Sequence, residues 1–356
     1  MTGPSSVYLP ILKGKQAEVL ALGNVPNSKR ATVLPLVEVV ADDSEDPEVV
    51  EASINTLQGR LAPAWPGVDL IIDTNWVADA GALPSGQLPI ERAHDLARTA
   101  GMRAIPTAWL TSDPAVVKAA AAIAAQDGVG ACIRVRLSDF DNVSALGSDL
   151  VALTANLGLT PDDIDLVVDF AAIDGANANA LGAVATVVLP SLPNLQQWRS
   201  FTLASGAFPK NLDAYTAYSP GPAPRWDKQL WLRVQSAGLP RTPAFGDYAV
   251  AHPEAPTSGG FAPAPNLRYA GDLEWTILKG RKGTPAGNRD FMNICAQFVA
   301  PIPNTFAGAG FSWGDAQIER CSRSVGGPGG AKEWRAWATS HHVSFVIDRL
   351  ATTGAP

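Results

Sequence analysis

The sequence predicts an α/β protein, a (β/α)8 TIM-like barrel carrying a C-terminal α+β extension. Three observations lead there. Short apolar, β-branched runs alternate with helix-length amphipathic stretches from residue 7 to about residue 250, eight such runs occur, and most end in a charged or polar residue. Near-continuous apolar strands such as Asp69-Leu-Ile-Ile-Asp73 and Asp165-Leu-Val-Val-Asp169 need cover on both faces, which a parallel sheet wrapped in helices supplies. An open doubly wound sheet meets the same pattern, but eight units over this span match the roughly 250 residues typical of the barrel.

The runs, in order, are Val7–Lys15, Ala31–Val40, Val68–Thr74, Arg103–Leu110, Ala131–Leu137, Ile164–Phe170, Ser200–Ser205 and Pro243–Val250. Helix punctuation separates them. Asp46-Pro47 opens Glu48–Leu61 and Asp113-Pro114 opens Ala115–Gln126, each an N-cap followed by proline at the first helical position, and Gly128 closes the second. Pro89 leads into Ile90–Thr99, and Pro161-Asp-Asp reads as the loop before the sixth strand. Near residue 250 the rhythm stops. Ala251–Pro265, with four prolines and two glycines, reads as a long ordered loop. Then come a strand-like Leu267–Lys279, a helix-like Arg289–Val299, a glycine-rich Phe306–Asp315, a loose Gly326–Gly330 and an amphipathic helix near Lys332–Leu350. The expected organisation is a barrel over 1–250 and an extension over 251–356 that packs on it and is not independent. Ile11-Leu-Lys-Gly-Lys15 is echoed by Ile277-Leu-Lys-Gly-Arg281, a match short enough to arise by chance.

With 356 residues, 46% of them hydrophobic and 17% charged, the chain can bury a large core. No apolar stretch reaches the roughly 20 residues that span a bilayer, so no membrane association is expected. The N-terminus lacks the basic start of a signal peptide, and the three cysteines are odd in number and without metal-ligand spacing, which points to the cytoplasm. A net charge of −7 argues against a broad nucleic-acid-binding surface but leaves room for a local basic pocket.

In a barrel of this kind reactive groups sit at the C-terminal ends of the strands. Those ends supply Lys13 and Lys15, Glu38, Asp73 with Asn75, Thr107 with Trp109, Arg134 and Arg136, Asp169, Ser205, and Asp247 with Tyr248. Arg134 and Arg136 alternate with apolar residues and so share a face, as Lys13 and Lys15 do. Such pairs suit a carboxylate or phosphate. The same cations can instead pair with Glu38, Asp73, Asp169 and Asp247 in a structural ion network, since buried charges need partners whatever their role. The acidic strand ends offer oxygen ligands of the kind Mg2+ takes, although no metal motif is present. Among four histidines, His94 reads as lying on a surface helix and His252 opens the proline-rich loop. His341 and His342, being adjacent on a helix, cannot both enter one site. The glycines of Gly308–Asp315 lack the lysine and hydroxyl residue of a phosphate loop. Of ten tryptophans, six lie between Trp226 and Trp337, where they can stack a base or fill a core.

Several segments together resemble the bacterial and phage beta protein family. They are Tyr8–Lys15 with Glu18 and Ala21-Leu22, Pro35–Val39, Arg134–Arg136, Val167–Asp169, Gly206–Pro209, Phe245–Tyr248, Asn266–Tyr269, Phe311–Asp315 and His341-His342. The resemblance implies a single full-length domain with the tail integral to it, a phage or mobile-element setting, and no assigned reaction. It also implies that Lys13, Lys15, Glu38, Arg136, Asp169, Asp247, Arg268 and Asp315 belong to one site.

The expected function is therefore binding of a small anionic, phosphate-bearing or nucleotide-like ligand at the barrel rim. Lys13, Lys15, Arg134, Arg136 and Arg268 would form the clamp, with Asp315 and His342 joining from the extension. Should a phosphodiester or nucleotide hydrolysis take place there, Glu38, Asp73, Asp169 or Asp247 would act as base or hold a divalent cation. The alternative from another class is a non-catalytic protein, acting in phage–host conflict or in a virion, whose tail meets a protein partner.

Overall fold

The structure, a computed structural model, describes residues 7–254, 263–300 and 305–356. Its first part alternates strand and helix as follows: β1 (Leu9–Leu12), α1 (Gln16–Gly23), α2 (Asn27–Arg30), β2 (Leu36–Glu38), α3 (Pro47–Ala64), β3 (Asp69–Asp73), α4 (Pro89–Thr99), β4 (Arg103–Trp109), α5 (Pro114–Asp127), β5 (Ala131–Arg136), α6 (Val143–Asn156), β6 (Ile164–Ala172), α7 (Ala178–Val188) and β7 (Ser200–Gly206). After β7 come β8 (Gly221–Pro224), α8 (Trp226–Ser236) and β9 (Ala244–Asp247). Strands β1 to β7 and β9 close a parallel eight-stranded barrel, with β9 bonded to both β7 and β1. The sequence-derived barrel is thus the fold. Its helices start where the caps predict, Asp46 and Asp113 each accepting amide hydrogens of the first turn.

Side-chain parity decides what the barrel holds. Leu9 and Ile11, Leu36, Ile71, Ile105, Cys132, Val167 and Ala204 point inward and form a small apolar core. Residues of opposite parity, among them Leu12, Val37, Ile72, Ile133, Val168 and Leu203, join the larger core between strands and helices. Polar layers close both ends of the interior. At the N-terminal end Asp165 takes two hydrogen bonds from Arg199, at 2.7 and 3.1 Å, and one from Ser200. At the C-terminal end the inward residues are Lys13, Glu38, Asp73, Arg134 and Asp169.

Beyond the barrel lie β10 (Asn266–Ala270), β11 (Glu274–Lys279), α9 (Asp290–Val299), α10 (Trp313–Ser322) and α11 (Ala331–Thr353). Leu267–Lys279, read as one strand, is an antiparallel hairpin turning at Gly271–Leu273. Its second strand, β11, pairs with β8, so the three-stranded sheet β10-β11-β8 takes one strand from the connection between β7 and β9. Gly-Pro-Ala-Pro is an unpromising strand sequence, tolerated here because β8 is an edge. Helix α10 emerges from the glycine-rich stretch with Ser312 as its N-cap. Helix α11 serves both parts: Val343, Val346 and Ile347 belong to the barrel's outer core, whereas Trp334 and Trp337 pack in the extension with Phe291, Ile294 and Phe298. Part of the proline-rich loop, residues 255–262, and the N-terminal Met1–Ser6 lie outside the described residues.

His94 is buried, contrary to its expected place on a surface helix. It shares the stripe Ile90, Ala93 and Ala97 on α4, and its Nδ1 lies 2.9 Å from the Ile90 carbonyl oxygen. No helix among the described residues is long and apolar enough to cross a membrane.

Candidate functional site

The barrel mouth is organised by Arg134, fully buried on β5. Its Nη1 donates to Glu38 and to Asp73, both at 2.8 Å, and its Nη2 donates to Asp169 and to the Tyr248 hydroxyl, both at 2.6 Å. Tyr248 in turn donates to Asp169 at 2.6 Å, while Trp76 and Trp109 donate indole hydrogens to Glu38 and Asp73, both at 2.9 Å. Lys13 completes the layer through an ion pair with Glu38 at 2.7 Å. Burial alone would raise the Glu38 carboxyl, but Arg134 and Lys13 more than offset it and hold it below its ordinary range. Above this layer the Arg136 guanidinium rests on Trp109 and Trp76, 4.3 and 4.7 Å from the ring centroids.

Glu38, Asp73, Asp169, Lys13 and Arg134 thus meet as the strand ends predict, in the arrangement expected of an ion network. Among the described residues no group of three or more His, Cys, Asp or Glu side chains is placed to hold a metal ion. The three carboxylates converge on a guanidinium instead.

Asp247 does not join them. On β9 it has the parity of Phe245, so it faces out of the barrel, and the inward neighbour is Tyr248. There Asp247 accepts from Tyr8 at 2.5 Å and from His342 Nε2 at 2.6 Å, with Arg225 3.6 Å away. Trp275 donates to His342 Nδ1 at 3.2 Å, which leaves the Nε2 proton for Asp247. Burial pushes the Asp247 carboxyl up, yet His342, Arg225 and Tyr8 together bring it below its ordinary value. Asp315 lies in a third group. It accepts from Tyr269 and Ser312, both at 2.5 Å, and from His341 Nδ1 at 2.9 Å. The eight residues that the family resemblance would unite are therefore divided. Asp247 and His342 pin α11 to the outside of the barrel, and Asp315 with His341 pins α10 to α11.

Lys13, Lys15 and Arg268 come together elsewhere, in a cleft of about 1240 Å3 between the barrel rim and the extension. Among the described residues, nine lysines and arginines line it against three carboxylates, Glu18, Asp213 and Glu254. Lys13 and Lys15 flank the turn from β1 into α1, where Gly14 adopts a positive φ of 65° under the Glu38 carbonyl, a conformation that suits glycine. Lys279 and Arg281 come from the end of the hairpin, and Lys332 and Arg335 from the start of α11. Both copies of the Ile-Leu-Lys-Gly echo therefore bring their cations to this cleft. Arg134 and Arg136 do not line it.

Arg268 is the unusual cation. Its Nη1 donates to the Val250 carbonyl at 2.7 Å and its Nε to the Asn266 side-chain oxygen at 3.0 Å, and the guanidinium lies 4.5 Å from the Phe208 ring centroid. Those partners are neutral. No carboxylate pairs with it among the described residues, in contrast to Arg134 and Arg225. Burial, with Arg335 nearby, holds its guanidinium well below the ordinary value. Sequence reasoning missed Arg335, Arg281, Lys332 and Lys210 because they come from loops and a helix start, and Lys279 because it ends a strand outside the barrel, where the barrel's strand periodicity does not register them. The echo was the signal that pointed to two of them.

A family model described as Beta protein matches residues 8–348. A search of curated proteins found no match.

Proposed function

The chain belongs to the Beta protein family, whose description names neither reaction nor ligand, and we propose from the cleft that it binds an anionic, phosphate-bearing or nucleotide-like ligand between barrel rim and extension. One observation carries this reading: Arg268 is fixed by neutral acceptors, stacked on Phe208 and without a carboxylate partner among the described residues, on the wall of a cleft rich in other cations. A guanidinium half-withdrawn from water gains from a counter-ion, and a ligand phosphate supplies one. The volume exceeds the roughly 300–1,000 Å3 of ordinary small-molecule sites and leaves room for a nucleotide-sized anion.

The proposal is of binding and does not extend to hydrolysis. Glu38, Asp73 and Asp169 are occupied by Arg134, and Asp247 lies outside the barrel. The Arg134 layer then serves as the floor that fixes Lys13 at the edge of the cleft.

The test is a melting-temperature screen with inorganic phosphate, pyrophosphate, nucleoside mono- and triphosphates, and Mg2+ alone. Phosphate-bearing compounds are expected to raise the midpoint, since a ligand at a hundred times its Kd stabilises by about 2.7 kcal/mol. Arg268→Met should abolish the rise. An unchanged midpoint with every compound would refute the reading.

A further inference from the structure

Resting on the reading that this cleft holds an anion, one residue in it remains to be explained. Glu18, the third residue of α1, is 2% exposed yet lines the cleft beside Lys13, Lys15, Arg268 and Arg335. Its Oε2 accepts the Lys15 amide hydrogen at 3.3 Å, an ordinary helix-capping contact. Its Oε1 has no partner among the described residues, and the carboxylate makes no ion pair there despite the cations around it. Every oxygen of Glu38 and Asp73, by contrast, is bonded or paired.

An unpaired carboxylate inside a cationic cleft affects one anion differently from another. It repels an anion that has lost all its protons, but it accepts a hydrogen bond from an anion that still carries one. We propose that Glu18 is the specificity-determining residue of the cleft, sharing one proton with the bound ligand and so selecting a phosphoryl group over a sulfuryl group of the same charge and shape. Burial raises the Glu18 carboxyl, the facing Arg335, the Lys15 amide and Lys13 act against that, and Glu38 adds to it, with the balance above the ordinary value. A carboxyl poised in this way holds a shared proton readily.

Inorganic phosphate and sulfate make the comparison directly. At roughly pH 8 both are dianions, and only hydrogen phosphate carries a hydroxyl, the second phosphoryl ionisation lying near 6 to 7. Calorimetric titration of the whole chain should show phosphate bound at least about tenfold more tightly than sulfate, a difference of about 1.4 kcal/mol. Glu18→Gln keeps an oxygen for the Lys15 amide and presents an N–H to the ligand, so the preference should vanish through a gain in sulfate affinity. Equal affinity of the wild type for the two anions at that pH would overturn the role of Glu18 and leave the anion cleft standing. Binding of neither anion would overturn the cleft reading and this inference with it.

Discussion

Two arginines, the fully buried Arg134 and the partly buried Arg268, separate a charge held in an ion network from a charge with neutral partners alone. Removing Arg134 leaves Glu38, Asp73 and Asp169 buried without their common partner, so Arg134→Met should destabilise the fold by about 3–5 kcal/mol in chemical denaturation. Arg268→Met removes a cation that has only neutral partners and a like charge nearby, so its cost should stay within about 1 kcal/mol of zero. A large loss for Arg268→Met without ligand would mean that its contacts to Val250 and Asn266 are structural. His94 allows a test of pH dependence. Burial lowers its pKa in the fold, so as pH falls through about 6.5 the unfolded chain binds the proton first and stability declines. Glu38 and Asp247, whose values are lowered in the fold, add their loss only below about pH 4, while Glu18, raised, works in the opposite sense. The difference between wild type and His94→Leu, followed by denaturation from pH 7 to 5, should therefore slope toward the variant as pH drops. At this scale the sequence revealed which strand-end charges meet inside the barrel but misplaced Asp247. A one-residue change of parity across Gly246-Asp247-Tyr248 turns a mouth residue into an outer one, and only pairing with β1 and β7 fixes that parity.

The barrel was legible element by element because parallel strands and their capped helices leave periodic, punctuated patterns. The extension was less so, for identifiable reasons. Strand β8 exists through its partner β11 and not through its own propensity, and the β10–β11 turn at Gly271–Leu273 interrupts the apolar pattern too briefly to be seen. Helix α10 has a glycine, Gly314, in its first turn, which hides it, although Ser312 followed by Asp315 was a capping signal. That glycine has a packing reason. A Cβ on Gly314 would lie 2.1 Å from the Trp337 carbonyl oxygen, so α10 and α11 touch backbone to backbone, with the Gly314 amide donating to Ser340 at 3.1 Å. Gly314→Ala must push the helices apart and should lower stability by about 2 kcal/mol or more in denaturant unfolding. An unchanged midpoint would show that the contact relaxes freely.

Across the whole molecule, charge is segregated. The chain carries a net charge of −7, yet nine of its 27 lysines and arginines line one cleft, drawn from the rim of the barrel and from the extension. That division explains why composition excluded a broad polyanion surface and left a local pocket open. It also predicts that ligand affinity falls linearly on a log–log plot as salt rises from about 50 to 200 mM, while the fold, held by buried pairs, changes little. The most direct measurement is calorimetric titration of pyrophosphate into the wild type and into Arg268→Met at low salt. The cleft account predicts saturable binding to the wild type and at least about tenfold weaker binding to a variant of unchanged melting temperature. Equal binding by both proteins, or none by the wild type, would contradict it.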